Sequence, residues 1–458
     1  MPVWLDHALG YATEWIAHQV RQRELPGCVI AAAHQGALVI ERAFGCADIS
    51  SGEELTPRHR FRVASHSKSL TAAAIMRLRE QGRLRLDDAA GHHVAGLHPD
   101  VAQATVAQLL SHASGITRDG GDSGHWDDRR PFLAVDELKA DLALPPVIEP
   151  NTRFKYSNHA YGLAGMVLEA AAGDAFADFL RREIITRAGL TETDPDTPVA
   201  AGIPMARGHS AKLPLGRRVV VPGSNPTRAL APATGLVSTA HDLVRFFAQL
   251  DPAAPESLLS RASRREMIRR QWREPHLSTE RYYGLGIRSG TTGGWDWFGH
   301  SGAFQGFVSR TVVLPDQALA LSIVANAIDG PATPLIDGVI HILQTFACRG
   351  APTPAVSGWT GRWWSVWQAL DLVPMGDRVL VADPAQPLPF QDASELVVTA
   401  EDSGLIALSS GVGRHGEGVR RTRGPGGDIT TVSLAGNELV RESDLVTEMA
   451  MRYGQSAS

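Results

Sequence analysis

The sequence predicts an α+β protein: an antiparallel sheet assembled from distant segments and faced by helices, an all-helical subregion, and then a small C-terminal β-barrel. Three observations predict it. Runs of β-type residues stand near both ends of the first 349 residues, with Ala/Leu-rich helical segments between them. The composition changes at Gly350-Ala351-Pro352-Thr353-Pro354, a linker signal. Beyond it the chain consists of short β-runs separated by Gly-rich turns. A chain of 458 residues is also too long for one ordinary domain. The expected division is 1–349 for a large catalytic domain and 350–458 for the barrel.

Taken in order, Trp4, Leu5, Ala8, Leu9, Ala12, Trp15, Ile16 and Val20 recur at helical spacing and predict an amphipathic first helix. Gly27 to Ala33 and Ala37 to Phe44 are β-rich and joined by His34-Gln35-Gly36, which predicts a hairpin. Helices are expected over 65–81, 106–110, 135–144, 159–172 and 176–188, and another is opened by Thr239. Strands are expected over 304–314 and 318–324, separated by the Pro315-Asp316 turn, and a helix over 334–346. Past the linker the clearest β-runs are 379–382, 395–399, 405–408, 429–434 and 439–442, with a closing helix over 443–453. Trp359, Trp363, Trp364 and Trp367 read as an aromatic plug for the barrel core.

Composition narrows the function. A hydrophobic share of 43% with 20% charged residues is that of a globular protein. A net charge of −5 offers no basic field for nucleic acid or an anionic membrane, so neither is an expected partner. No stretch approaches 18 uncharged apolar residues, and the N-terminus lacks the basic start and apolar run of a signal peptide. The expected location is therefore cytoplasmic. Cys28, Cys46 and Cys348 show no C-x-x-C spacing and read as buried free thiols. His92, His93, His98, His112 and His125 fit no metal-ligand spacing, so no metal or other cofactor is expected. Of the 44 basic residues only Lys68, Lys139, Lys155 and Lys212 are lysines. Lysine gives up its proton when desolvated and arginine does not, so each lysine asks why arginine would not serve.

Three motifs carry chemistry. In Phe61-Arg62-Val63-Ala64-Ser65-His66-Ser67-Lys68, Ser65 stands at the start of a helix, with Lys68 one turn on and on the same face. A serine hydroxyl needs an adjacent base to act as a nucleophile, and a desolvated lysine can be that base. The helix N-terminus also aims free N–H groups at the space where an oxyanion would develop. In Lys155-Tyr156-Ser157-Asn158, a phenol and a carboxamide open the next helix from one loop. Tyr156 can exchange a proton with Ser65, and Asn158 can hold Lys68 or a substrate amide. In Gly299-His300-Ser301-Gly302-Ala303, small residues let a substrate backbone approach a strand edge. The N–H of Ala303 would be the second oxyanion donor opposite that of Ser65. Each motif taken alone reads as an ordinary cap, aromatic loop or turn.

Together, S-x-x-K, Y-S-N and H-S-G in this order resemble the class C β-lactamase and penicillin-binding-protein-like serine hydrolases. Leu109-Leu110-Ser111-His112-Ala113-Ser114-Gly115-Ile116 and Gly235-Leu236-Val237-Ser238-Thr239 also look like signatures of that family. The resemblance covers roughly residues 5 to 346 and implies a β-lactamase-like catalytic fold. It implies Ser65 as nucleophile, Lys68 and Tyr156 as the proton-transfer pair and Asn158 as the orienting group. His300 stands where the β-lactamases place a lysine, which resembles the D-aminopeptidase, esterase and peptide-cyclising thioesterase branches. A mostly neutral histidine there can donate one hydrogen bond or help protonate a leaving group. The C-terminal barrel resembles the lipocalin-like domain of several of these enzymes.

The expected function is an acyl-enzyme hydrolase cleaving amide bonds of small peptides or amides, D-residues included. Acyl transfer to an amine, or ester cleavage with weak β-lactamase activity, are the alternatives. Asp119, Asp122 and Trp126, in a Gly-rich loop between the first two motifs, are candidate substrate contacts. Ser301, Gly302, Gly235 and, near the chain end, Arg452 complete that set. The expected partner is a small-molecule or peptide substrate.

Overall fold

The computed structural model describes residues 1–223, 225–275, 279–410 and 413–454. They form two compact units, one of residues 24–336 and one of residues 1–23 together with 337–458. Helix α1 (Val3–Gln22) belongs to the second. It buries Leu5, Ala8, Leu9, Ala12, Trp15, Ile16 and Val20, the stripe its spacing predicts. Its Gln19 and Trp15 donate side-chain hydrogen bonds to the carbonyls of Pro384 and Gln386 in the same unit, at 2.7 and 3.2 Å.

The larger unit is built on a nine-stranded antiparallel sheet. Its strands in chain order are β1 (Gly27–His34), β2 (Ala37–Asp48), β3 (Glu53–Glu54), β4 (Trp272–Arg273), β5 (Arg281–Tyr283), β6 (Arg288–Thr292), β7 (Trp295–Phe304), β8 (Phe307–Leu314) and β9 (Leu319–Ala325). Their order across the sheet is β3-β2-β1-β9-β8-β7-β6-β5-β4. N-terminal and C-terminal segments thus meet at the centre, where Ala31 pairs with Ser322. β1 and β9 are almost wholly buried, which explains why they read as continuous apolar runs rather than alternating ones.

The strand expected over 304–314 starts later. Phe304 closes β7 and pairs with Phe307 across Gln305-Gly306, so the expected run straddles a hairpin turn. Strands β4 to β6, towards one edge of the sheet, escape the sequence reading because they are short and rich in charged and small residues. Helix α2 (His66–Glu80) and helix α3 (Asn158–Ala172) pack against each other in the helical subregion. Ser157 caps α3, its Oγ accepting from the Ala160 N–H at 2.9 Å. Helix α4 (Ala240–Gln249) covers β1, β8 and β9 on one face. The helix expected over 176–188 is α-helical only to Leu180 and then widens to a π turn over Arg181–Ile185.

Helix α5 (Ala332–Arg349) leads out of the sheet unit. The barrel that follows is closed. Its strands are β10 (Gly361–Trp364), β11 (Ala369–Met375), β12 (Arg378–Ala382), β13 (Ser394–Ala400), β14 (Ser403–Leu408), β15 (Gly418–Arg423), β16 (Ile429–Leu434) and β17 (Asn437–Val440). Trp364 of β10 pairs with Val440 of β17 to shut the ring, which removes every free sheet edge. Helix α6 (Glu442–Tyr453) ends the described chain. Trp359 and Trp363 are buried in the barrel core, but Trp367 is 92% exposed in the β10–β11 turn, so the aromatic plug is smaller than expected. Cys28 is buried and burial pushes its thiol up to about 12. Cys46 is half-buried and Cys348, on the last turn of α5, is exposed, contrary to the expectation of three buried thiols. Among the described residues no helix is long and apolar enough to cross a membrane.

Candidate active site

The first motif turns sharply before its helix. Ala64 is held at φ +46°, a conformation that costs a non-glycine residue free energy and is kept where surroundings impose it. The turn delivers Ser65 to the N-cap of α2, and its hydroxyl does not cap the helix. From Phe61 to Met76 it is the one residue that is not buried. The hydroxyl is thereby left for chemistry.

Lys68 lies on the next turn, fully buried. Its Nζ is 2.8 Å from Asn158 Oδ1, 2.8 Å from the Ala233 carbonyl and 3.1 Å from Ser65 Oγ. The first two partners only accept, so they use two N–H bonds. The third is a hydroxyl, which can equally donate. A neutral amine therefore satisfies all three contacts, with its lone pair on the Ser65 proton. Burial lowers the Lys68 ammonium below its ordinary value, against the negative charges of Tyr156 and Asp119.

Tyr156 arrives from the loop before α3 and its OH stands 2.9 Å from Ser65 Oγ. Burial pushes its phenol up, but the cations of Lys68 and Arg288 outweigh burial and leave it below its ordinary value. Lys68 and Tyr156 are thus two depressed groups facing one hydroxyl, a pair that titrates jointly. Asn158 turns its Oδ1 to Lys68 because its Nδ2 donates to Asp119 Oδ1 at 2.6 Å. Asp119, buried and also paired with Arg118 at 3.1 Å, is placed one step behind Lys68.

The third motif lies on β7. An added Cβ at Gly302 would stand 2.1 Å from the Val63 carbonyl, so only glycine lets β7 approach the turn that carries Ser65. Next to it, Ala303 is exposed. His300 is buried and both its ring nitrogens are engaged. Nδ1 is 2.7 Å from the Ser301 carbonyl, an acceptor, and 3.0 Å from the Ser301 N–H, a donor, so either ring tautomer finds a partner there. Nε2 stands 3.0 Å from the Tyr283 OH, a phenol that burial holds well above its ordinary value and so keeps protonated. Burial, helped by the Arg288 charge, also keeps His300 neutral. The imidazole is left without a free N–H for a leaving group.

Two positions that the sequence reading left without a role stand beside these residues. Arg288 on β6 reaches Ser301 Oγ at 2.9 Å and lies 5.7 Å from the centre of the Tyr156 ring, with Glu274 2.7 Å from its Nε. It brings a fixed cation to the motif whose own position 300 is uncharged. Only the pairing of Arg288 with Gly299 across β6 and β7 brings it there, and no spacing rule along the chain signals that. His112, inside the Leu109–Ile116 signature, sits at φ +60° with its ring 4.1 Å from that of Tyr156. Its Nδ1 accepts the Ser157 N–H at 3.1 Å, which ties the phenol's loop to the end of that signature.

The remaining candidates fall elsewhere. Asp122 is exposed and caps its own loop at the Gly124 N–H, with Arg130 3.1 Å away. Trp126 is half-buried against Phe132 and Phe304. A Cβ at Gly235 would stand 2.6 Å from the Pro195 carbonyl, so that glycine serves close backbone packing. Arg452 is exposed on α6 and pairs with Glu448 one turn back. Among the described residues no cluster of His, Cys, Asp and Glu is arranged to hold a metal.

Sheet, helical subregion and the Ser65 constellation together hold one hydroxyl on a helix tip against an amine and a phenol. The chain belongs to the Beta-lactamase family, whose model matches residues 12–340. It is similar to penicillin-binding protein 4* of Bacillus subtilis (strain 168), 31% identical over 169 residues, 36% of this chain and 37% of that protein. The chain thus spans little more than a third of the length of the first curated relatives it matches. The structure of SurE is similar over 95% of this chain and 99% of SurE, at 26% identity and a TM-score of 0.63. A D-stereospecific amidohydrolase from Streptomyces sp. is similar over 72% of this chain and 97% of its own, at 26% identity and a TM-score of 0.61.

Proposed function

We propose that this hydrolase cleaves amide bonds of small peptides and amino-acid amides, D-residues included, through an acyl-enzyme at Ser65. The observation that carries the reading is the placement of one hydroxyl within 3.1 Å of Lys68 Nζ and 2.9 Å of the Tyr156 OH. The proton of Ser65 passes to the Lys68–Tyr156 pair as Oγ attacks the carbonyl carbon. The N–H groups of Ser65 and Ala303 take the oxyanion. The pair then gives that proton to the leaving amine as the C–N bond breaks, and water, deprotonated by the same pair, releases the acid. Asn158 and Asp119 position Lys68, and His300 with Tyr283 positions the strand that carries Ala303. Arg288 lowers Tyr156 and offers the substrate a cation.

Similarity to a D-stereospecific amidohydrolase, and to a SurE structure holding D-Leu, supports amides and D-residues as the substrate class. The closed barrel, resembling the lipocalin-like domain of the cyclising relatives, supports a second reading in which an amine replaces water. The test is incubation with paired D- and L-amino-acid amides and a linear peptide thioester, with products read by mass spectrometry. Release of ammonia and D-amino acid supports the amidase, and a product lacking the mass of water supports acyl transfer. No turnover of any amide, thioester or ester by a protein labelled at Ser65 would overturn both.

A further inference from the structure

The barrel unit holds a cavity that the chemistry at Ser65 does not use. It has a volume of about 400 Å³ and is lined by Trp359, Trp363, Leu372, Arg421, Ile429 and Arg441 among others. That volume is at the small end of the range for ligand pockets. Its lining sets two indoles, Leu372 and Ile429 beside two guanidinium groups, Thr360 and Asp428. Trp359 and Trp363 are 1% and 2% exposed, and neither indole N–H meets an acceptor within the described residues. Tryptophan buried with its N–H unsatisfied is uncommon, because the group then loses water without compensation.

Two guanidinium groups stand over these rings. Arg421 lies 4.3 Å from the centre of the Trp359 ring and Arg441 lies 3.8 Å from that of Trp363. Their charges are not equivalent. Arg421 is neutralised by Asp402 at 2.9 Å and also donates to the Gly358 and Glu401 carbonyls. Among the described residues the Arg441 guanidinium has no carboxylate partner, and its one hydrogen bond is a long one, 3.5 Å, to the Arg362 carbonyl. The cavity therefore combines two buried indoles, their two spare N–H groups and a cation with no carboxylate partner among the described residues. Asp428 adds one carboxylate to the lining.

We propose that this cavity binds a small organic carboxylate with a flat apolar body, its acid group held by Arg441 and the indole N–H groups and its body between the tryptophans. Such a ligand supplies acceptors to the two indole N–H groups and to Arg441, and a charge-assisted contact to Arg441 selects an acid over its neutral amide. The carboxylate has two sources that this chemistry fits, a simple aromatic acid or an aromatic amino acid whose ammonium faces Asp428.

The test uses the full chain carrying 5-fluorotryptophan, with the Trp359 and Trp363 resonances assigned through Trp359→Phe and Trp363→Phe. The probes are 3-phenylpropionate, 3-phenylpropionamide and phenylalanine. Both resonances should move saturably with 3-phenylpropionate or phenylalanine. The amide should bind at least about tenfold more weakly. Arg441→Met should cost the acid a similar factor while leaving the rate of Ser65 labelling unchanged. Tighter binding of phenylalanine, lost in Asp428→Asn, identifies the amino acid as the source, and equal or weaker binding identifies the simple acid. The proposal is overturned if neither acid gives a saturable shift, if acid and amide bind alike, or if Arg441→Met binds the acid as the wild type does.

Discussion

Asn158 donates its Nδ2 to Asp119 Oδ1 at 2.6 Å, and that bond decides which end of the amide faces Lys68. Without it the carboxamide is free to rotate and present N–H to an amine that needs an acceptor. Asp119→Ala should leave Ser65, Lys68 and Tyr156 in place yet lower kcat/KM by about 10²-fold, the usual penalty for a misplaced catalytic group. Steady-state kinetics with a D-amino-acid amide read this. A variant within threefold of wild type would show that Asp119 does not position Asn158.

Arg288 lowers the Tyr156 phenol through its charge. Removing it alone strands the buried carboxylate of Glu274, so the informative variant is Arg288→Met with Glu274→Gln. With one of two nearby cations gone, the folded-state value of Tyr156 rises. The limb on which acylation increases with pH should move to higher pH, and activity at neutral pH should fall. A pH–rate profile of Ser65 acylation with an unmoved limb would contradict the assignment.

Gly302→Ala places a Cβ 2.1 Å from the Val63 carbonyl. The strand must withdraw from the Ser65 turn and carry the Ala303 N–H with it. Acylation should fall about 10²- to 10³-fold, the cost of one oxyanion donor. Stopped-flow labelling with a fluorophosphonate measures it, and a thermal melt reports the accompanying loss of stability.

Buried histidines make the fold acid-sensitive. Burial brings His66 down to about 4 and holds His112 and His300 well below 6.5. The unfolded chain binds protons at about 6.5 and the folded one does not, so stability is full above that value. It falls as pH drops, for His66 until about 4. Each such histidine removes stability with a slope that approaches about 1.4 kcal/mol per pH unit about one unit below 6.5. Calorimetry of unfolding near pH 5.5 should show these three rings taking up nearly three protons, about 0.9 each. Uptake below one would contradict the burial of these rings as neutral groups.

Much of this was legible along the chain, and the reason is local. Ser65 and Lys68 share a helix face, so three residues of spacing predict their meeting. Tyr156 and Asn158 were legible because they open a helix, and β1 and β2 because one apolar hairpin sets its own register. What sequence reading missed lies across strands. Arg288 and Tyr283 reach the site from short strands, and Glu274 from just past β4, where charged and small residues mask the pairing. The engagement of His300 Nε2 follows from Tyr283, and no pattern along the chain announces it. Loop candidates such as Asp122 were chosen for composition, and composition does not distinguish a substrate contact from a residue that caps its own turn.

The most direct test of the Lys68–Tyr156 pair is the rate of Ser65 acylation by a fluorophosphonate as a function of pH, in the wild type, Lys68→Ala and Tyr156→Phe. The wild-type rate should rise with pH along a limb below the ordinary values of lysine and tyrosine. Each variant should lose about 10²- to 10⁴-fold and its own limb, with the fold retained by circular dichroism. A variant that labels Ser65 at the wild-type rate, with the wild-type pH dependence, would show that the group removed does not carry the serine proton.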